Sequence, residues 1–103
     1  DMIVWANNLR CSEKTEKARR RMKRRIRTGL ILFDLYCVTI PQNSQNVMDI
    51  IPARDVKRRP YREMTVKVIG VAKGDGAARE LVRQMIEELY QKTGGFDAEQ
   101  YFL

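Results

Sequence analysis

"MIVWANNLRCSEKTEKARRRMKRRIRTGLILFDLYCVTI" (residues 2–40) reads as strand, helix, strand, and the rest of the chain is interpreted around it. MIVWA, residues 2–6, is a short apolar run rich in β formers and is followed by the polar turn NNLRCS. Ser12 is a suitable N-cap, Glu13 and Glu16 fall in the first turn, where the helix dipole favours acids, and Gly29 follows the basic last turns. A helix from about 13 to 28 is predicted. LILFDLYCVTI, residues 30–40, is β-branched and aromatic with one charge, which predicts a long, mostly buried strand ended by Pro41.

After the polar loop PQNSQN, VMDII (47–51) returns as a hairpin partner, with a short helix as the competing reading. Pro52 and Pro60 bracket ARDVKRR, which suits a helical turn and an exposed basic connection. TVKVIGVA (65–72) reads as a strand with a buried end. In KGDGAARELVRQMIEELYQKTGG, Ala78, Leu81, Val82, Met85, Ile86 and Leu89 recur at helical spacing, so a helix is predicted over about 76–93 with Asp75 as cap and Gly94 as stop. The aromatic tail FDAEQYFL, residues 96–103, is expected to dock on its own domain.

The order is β-α-β-β-β-α. It implies a single domain over 1–103 of α/β class, with α+β as the close alternative: a three- to four-stranded mixed sheet and two main helices. A right-handed crossover is required if the first two strands are parallel. The two helices either share one face or flank the sheet.

The charge is local. The chain carries +7, and residues 10–27 hold ten Lys or Arg against Glu13 and Glu16, a net +8, leaving the remainder at −1. On a helical wheel, Thr15, Ala18, Met22 and Ile26 form a narrow apolar stripe. Arg19 and Arg25 border it with their methylene stems, while Lys17, Arg20, Lys23, Arg24 and Arg27 point away. Five like-charge pairs at i, i+4 cost about 0.2–0.5 kcal/mol each, roughly 1–2.5 kcal/mol together before screening, and the favourable pairs Glu13–Lys17 and Glu16–Arg20 do not cancel them. A polyanion, acidic side chains such as Glu80, Glu87 and Glu88, or a solvated face are the three ways to tolerate this.

Several chemistries are set aside. The chain has no His and two Cys, which leaves no His/Cys zinc site, no Ser–His or Cys–His nucleophile and no disulfide framework. No cofactor and no metal are expected. Cys11 lies next to Arg10, a setting that can lower a thiol pKa, although a packed thiol is the commoner outcome. Asp34, alone in an apolar run, is expected at an exposed edge or against an Arg of the basic helix. GVAKGDGAARE (70–80) passes from strand through a glycine turn into a helix, an architecture that offers N–H groups to an anion, with Lys73, Gly74 and Gly76 as its contacts. Its spacing matches neither GxxxxGK[ST] nor GxGxxG, and Asp75 adds a negative charge.

The reading that follows is a non-enzymatic cytoplasmic domain that contacts RNA or DNA phosphates through Lys17, Arg20, Lys23, Arg24 and Arg27, helped by Arg58, Arg59 and Arg62. Tyr61, in RRPYR, is the best-placed aromatic for a base or sugar contact, with half-buried packing as the alternative. Trp5, Phe33 and Tyr36 fall in predicted strands and are expected in the core. A protein-interaction or homo-oligomerising module, its basic helix meeting acidic surface, is the second reading, and small-anion or nucleotide binding at the glycine loop is the third. No run approaches a membrane span or has a signal-peptide layout, so no membrane partner is expected.

Overall fold

In the computed structural model, which describes residues 2–43 and 45–103, four strands form one mixed sheet. Asp1 and Ser44, the latter in the predicted polar loop, lie outside the described residues. In chain order the elements are β1 (Met2–Cys11), α1 (Glu16–Thr28), β2 (Leu35–Thr39), β3 (Asp49–Pro52), α2 (Ala53–Val56), β4 (Thr65–Lys73), α3 (Asp75–Thr93) and α4 (Ala98–Phe102), with a 3-10 turn at Tyr61–Glu63 before β4. The sheet order is β1-β4-β2-β3. β1 runs parallel to β4, whereas β2 is antiparallel to both β4 and β3. The predicted hairpin of the second and third strands is present, and two main helices accompany the sheet.

β4 occupies the place between β1 and β2, so the first two strands are not neighbours and run in opposite directions. The parallel-crossover condition therefore does not arise for them. The two helices flank the sheet. Val66, Val68 and Val71 of β4 join Met22 and Ile26 of α1, Ala53 and Val56 of α2, and Cys37 in one core; Ile69 and Ala72 join Ala78, Leu81, Met85 and Leu89 of α3 in the other. At Gly70 the strand and α3 come close: an added Cβ would lie 3.2 Å from Leu81 Cδ2 and 3.3 Å from Val38 Cβ.

Four boundaries differ from the sequence reading. β1 continues past residue 6 because its register shifts between Trp5 and Arg10, a bulge that leaves Asn7 and Asn8 exposed while returning Leu9 and Cys11 to the core. α1 starts at Glu16, capped by Thr15, whose side chain accepts the Ala18 N–H at 3.1 Å. Ser12 is instead part of the sheet's end: its N–H donates to Val71 O at 3.0 Å, and its hydroxyl accepts from Lys73 N at 3.1 Å. α3 begins at Asp75 with Gly74 as N-cap, and Asp75 pairs with Arg79 at 3.1 Å.

The fourth difference matters most for function. The run 30–40 is not one strand: β2 begins at Leu35, and residues 30–34 form a loop. Gly29, at φ 78, closes α1 by donating to Arg25 O at 2.9 Å, and Leu30 N donates to the same carbonyl at 3.1 Å, so the chain turns sharply before it can enter the sheet. The tail does dock. α4, capped by Asp97, packs Ala98 and Phe102 into the core on the α3 side. Among the described residues no helix is long and apolar enough to cross a membrane.

Candidate nucleic-acid interface

The apolar stripe of α1 is the one its spacing implies: Ala18, Met22 and Ile26 are buried, and Ile26 is fully so. The two bordering arginines are consumed by the fold. Arg19 reaches Leu9 O at 3.4 Å and Glu16 at 3.7 Å. Arg25 pairs with Asp34 at 2.7 Å, the ion pair that accounts for a carboxylate in an apolar run, and also donates to Ile31 O.

The outward residues form a continuous cationic arc. Lys17, Arg20, Arg21, Arg24 and Arg27 are exposed. Arg20 shares Glu16 with Arg19, at 3.1 Å, and Arg21 reaches Glu13 only at 4.0 Å. Among the described residues, Lys17, Arg24 and Arg27 have no carboxylate partner. Lys23 differs from its expected outward orientation: it is half-buried, with its ammonium 5.3 Å from the Trp5 ring centroid in cation-π geometry. Trp5, half-buried against the same core, is therefore next to the arc rather than part of a stacking surface.

The second basic segment is joined to the first. Lys57, just past α2, donates to Arg27 O at 2.6 Å, satisfying an end carbonyl of α1 and adding a cation at the negative end of its dipole. Arg58, Arg59 and Arg62 follow on the exposed connection to β4. Arg58 meets Asp55 loosely at 3.9 Å, and Arg59 pairs with Glu63 at 2.8 Å. Tyr61 packs against the core, its bland reading. Lys57 was missed because nothing in ARDVKRR signals that one of its cations turns back to a helix 30 residues earlier.

The acids named as internal neutralisers are engaged elsewhere. α3 lies across the sheet from α1, and its Glu80 and Glu87 bind Arg83 at 2.7 and 3.1 Å. Hydrogen bonds from Arg83 and then Gln84 hold the Glu80 carboxyl down at about 2. Glu88 takes the Arg10 guanidinium through two bonds of 2.5 and 2.9 Å and the Tyr101 hydroxyl at 2.8 Å, while Arg10 stacks 5.2 Å from the Phe102 centroid. The Arg10 hydrogen bonds, reinforced by Tyr101, lower the Glu88 pKa against its partial desolvation. No acid of α3 is left for α1.

At the glycine loop the N–H groups of Lys73 and Gly74 are already donated, to Ser12 Oγ at 3.1 Å and Asp34 O at 2.8 Å. Lys73 is exposed, and Gly76 lies in the first turn of α3. The arrangement there is a strand-to-helix turn at φ 101 on Gly74. The cleft at the β1 edge, lined by Arg10, Arg19, Gln84 and Glu88, has its guanidinium ends tied to Glu88, Leu9 and Glu16. Both thiols are buried: burial raises Cys11 despite its basic neighbours, against the activated thiol that Arg10 suggested, and pushes Cys37 up to about 12.

The loop after α1 was also missed. Leu30, Ile31 and Phe33 are 63, 66 and 73% exposed, the most exposed large apolar cluster of the chain, whereas Leu32 packs into the core. Phe33 is therefore not the core residue that its place in a predicted strand implied. Ile31 adopts φ 56, a left-handed conformation that costs a β-branched residue about 1–2 kcal/mol. No family model, curated protein or solved structure matches the chain.

Proposed function

We propose that the chain is a binding module that holds a nucleic acid by its phosphate backbone along α1. The observation that carries this reading is the under-compensated arc: Lys17, Arg20, Arg24 and Arg27 face solvent on one helix, of these only Arg20 meets an acid among the described residues, the Glu16 it shares with Arg19, and the acids of α3 are spent across the sheet. Phosphates spaced along a strand offer these cations counter-charges that the fold withholds, and displaced counterions add an entropic gain. Lys23 borders the arc on the same helix, and Lys57, Arg58, Arg59 and Arg62 extend it beyond the helix. Two buried, unpaired thiols and a nucleic-acid ligand are compatible with a cytoplasmic setting.

The same surface would accept an acidic protein, and a titration tests the nucleic-acid reading. Labelled oligonucleotide is titrated with wild type and with the Arg20→Glu, Arg24→Glu double variant, following oligonucleotide anisotropy and the emission of Trp5, the sole tryptophan, beneath Lys23. The reading expects saturable binding at low salt, a change in Trp5 emission, and loss of both in the double variant. Absence of binding by wild type at low salt contradicts it.

A further inference from the structure

The loop at the C-terminal end of α1 has a construction that the phosphate reading does not use. Its backbone is fastened: Arg25 holds Ile31 O and the Asp34 carboxylate, Leu35 N donates to Leu32 O at 3.1 Å, Gly74 N donates to Asp34 O at 2.8 Å, and Leu32 is anchored in the core. Out of this fixed frame project Leu30, Ile31 and, furthest into solvent, Phe33 at 73% exposure. Arg24 and Arg27 are exposed on the last turns of the helix that leads into the loop and that Arg25 ties to it. Ordinary packing does not call for an aromatic ring projecting into water from a fastened loop at the end of a cationic helix.

We infer that Phe33 is a stacking platform for an unpaired base of a single-stranded nucleic acid whose phosphates run along α1. This rests on the phosphate reading above and assigns its ligand class. Proteins that hold single strands combine a basic track for the backbone with aromatic rings on which bases stack. Arg24 and Arg27 meet phosphates, Phe33 offers its face to the base, and Leu30 and Ile31 shield the stack from water. A duplex keeps its bases paired and gives the ring nothing to stack on. A second copy of the chain is a poor occupant, because three side chains fall well short of the roughly 800 Å² per partner of a stable interface and two +8 segments would meet. The buried Ala18, Met22 and Ile26 leave α1 no apolar face to lay on a bilayer, so lipid would be held by the loop alone.

The test compares wild type, Phe33→Ala, Phe33→Leu, Phe33→Trp and the Arg20→Glu, Arg24→Glu double variant. Each is titrated against one mixed-sequence oligonucleotide, single-stranded or annealed to its complement, and against vesicles of phosphatidylcholine with phosphatidylserine. Thermal melts confirm that the exposed substitutions leave the fold intact. Phe33→Ala and Phe33→Leu are expected to weaken single-strand binding about tenfold with the duplex and the salt slope unchanged, and Phe33→Trp to retain or improve it. Single-strand affinity unchanged in Phe33→Ala, or lost equally on duplex, overturns the stacking role and leaves the phosphate reading standing if the double variant still fails to bind. Phe33→Leu behaving as wild type replaces stacking by simple apolar contact and overturns it. Wild type that ignores both oligonucleotides overturns the two proposals together, and Phe33-dependent vesicle binding in that case assigns the loop to lipid.

Discussion

The two faces of the sheet carry helices of opposite electrostatic character. α3 is self-contained: Glu80, Arg83 and Glu87 form a chain of ion pairs along its surface, and Glu88 is locked by Arg10 and Tyr101. α1 presents a row of cations of which Lys17, Arg24 and Arg27 meet no acid among the described residues and Arg19 and Arg20 share one, although it is packed on the same sheet by an equally buried stripe. Since i, i+4 repulsion weakens a helix, the contrast teaches where the fold is optimised for its own stability and where it is left incomplete for a partner.

The comparison is first broken or sharpened at the core, where the faces should behave alike. Ile26→Ala and Leu89→Ala, each removing a fully buried side chain, are both expected to cost about 3 kcal/mol in urea unfolding. A loss below about 1 kcal/mol for Ile26→Ala would mean that α1 is not held by its stripe. The charges should then separate the faces. Glu88→Ala is expected to cost about 1–2 kcal/mol at neutral pH, because it leaves a partly buried guanidinium without its carboxylate. The pKa of Glu88 is lowered in the folded state, so its contribution is complete above the ordinary Glu value of about 4.3 and is lost as pH falls through the folded value. Wild type should therefore lose stability on acidification over that interval, and Glu88→Gln should be flatter there. An identical acid slope in the two would remove this network from the account.

Gly70→Ala tests the close approach of α3 and is expected to cost about 1 kcal/mol, since Leu81 and Met85 can shift whereas Val38 Cβ cannot. Ile31→Gly works in the other direction. Relief of the φ 56 strain outweighs the added chain entropy, and a gain of about 0.5 kcal/mol is expected in thermal melts. The smallest effect is expected where the charge is greatest: Arg20→Glu with Arg24→Glu should change stability by less than about 0.5 kcal/mol, since both residues are exposed and the one ion pair lost, Arg20 with Glu16, lies at the surface.

The sequence made the α1 face legible in its parts but not in its outline. Ala18, Met22, Ile26 and Gly29 follow from helical spacing and the left-handed cap, and the Asp34 contact with a basic-helix arginine was foreseeable because a lone carboxylate beside apolar residues needs a partner. Phe33 was not legible, since LILFDLYCVTI has the composition of a buried strand throughout. What exposes its first residues is tertiary: the Gly29 turn and the reach of Arg25 to positions six and nine residues ahead. The Asp34 break in the apolar run was the one local sign of where the strand begins. The flanking arrangement of α1 and α3 likewise depends on β4, the last strand, entering between β1 and β2.

The central claim is that the cations along α1 meet phosphates, and the salt dependence of binding tests it most directly. With Lys17, Arg20, Lys23, Arg24 and Arg27 in contact, the plot of log K against log salt for a single strand should have a slope of about −3.5, and the Arg20→Ala, Arg24→Ala variant, which removes two of the five contacts without reversing their charge, should flatten it by about 1.4. A wild-type slope near zero, or the same slope in both proteins, would contradict the account.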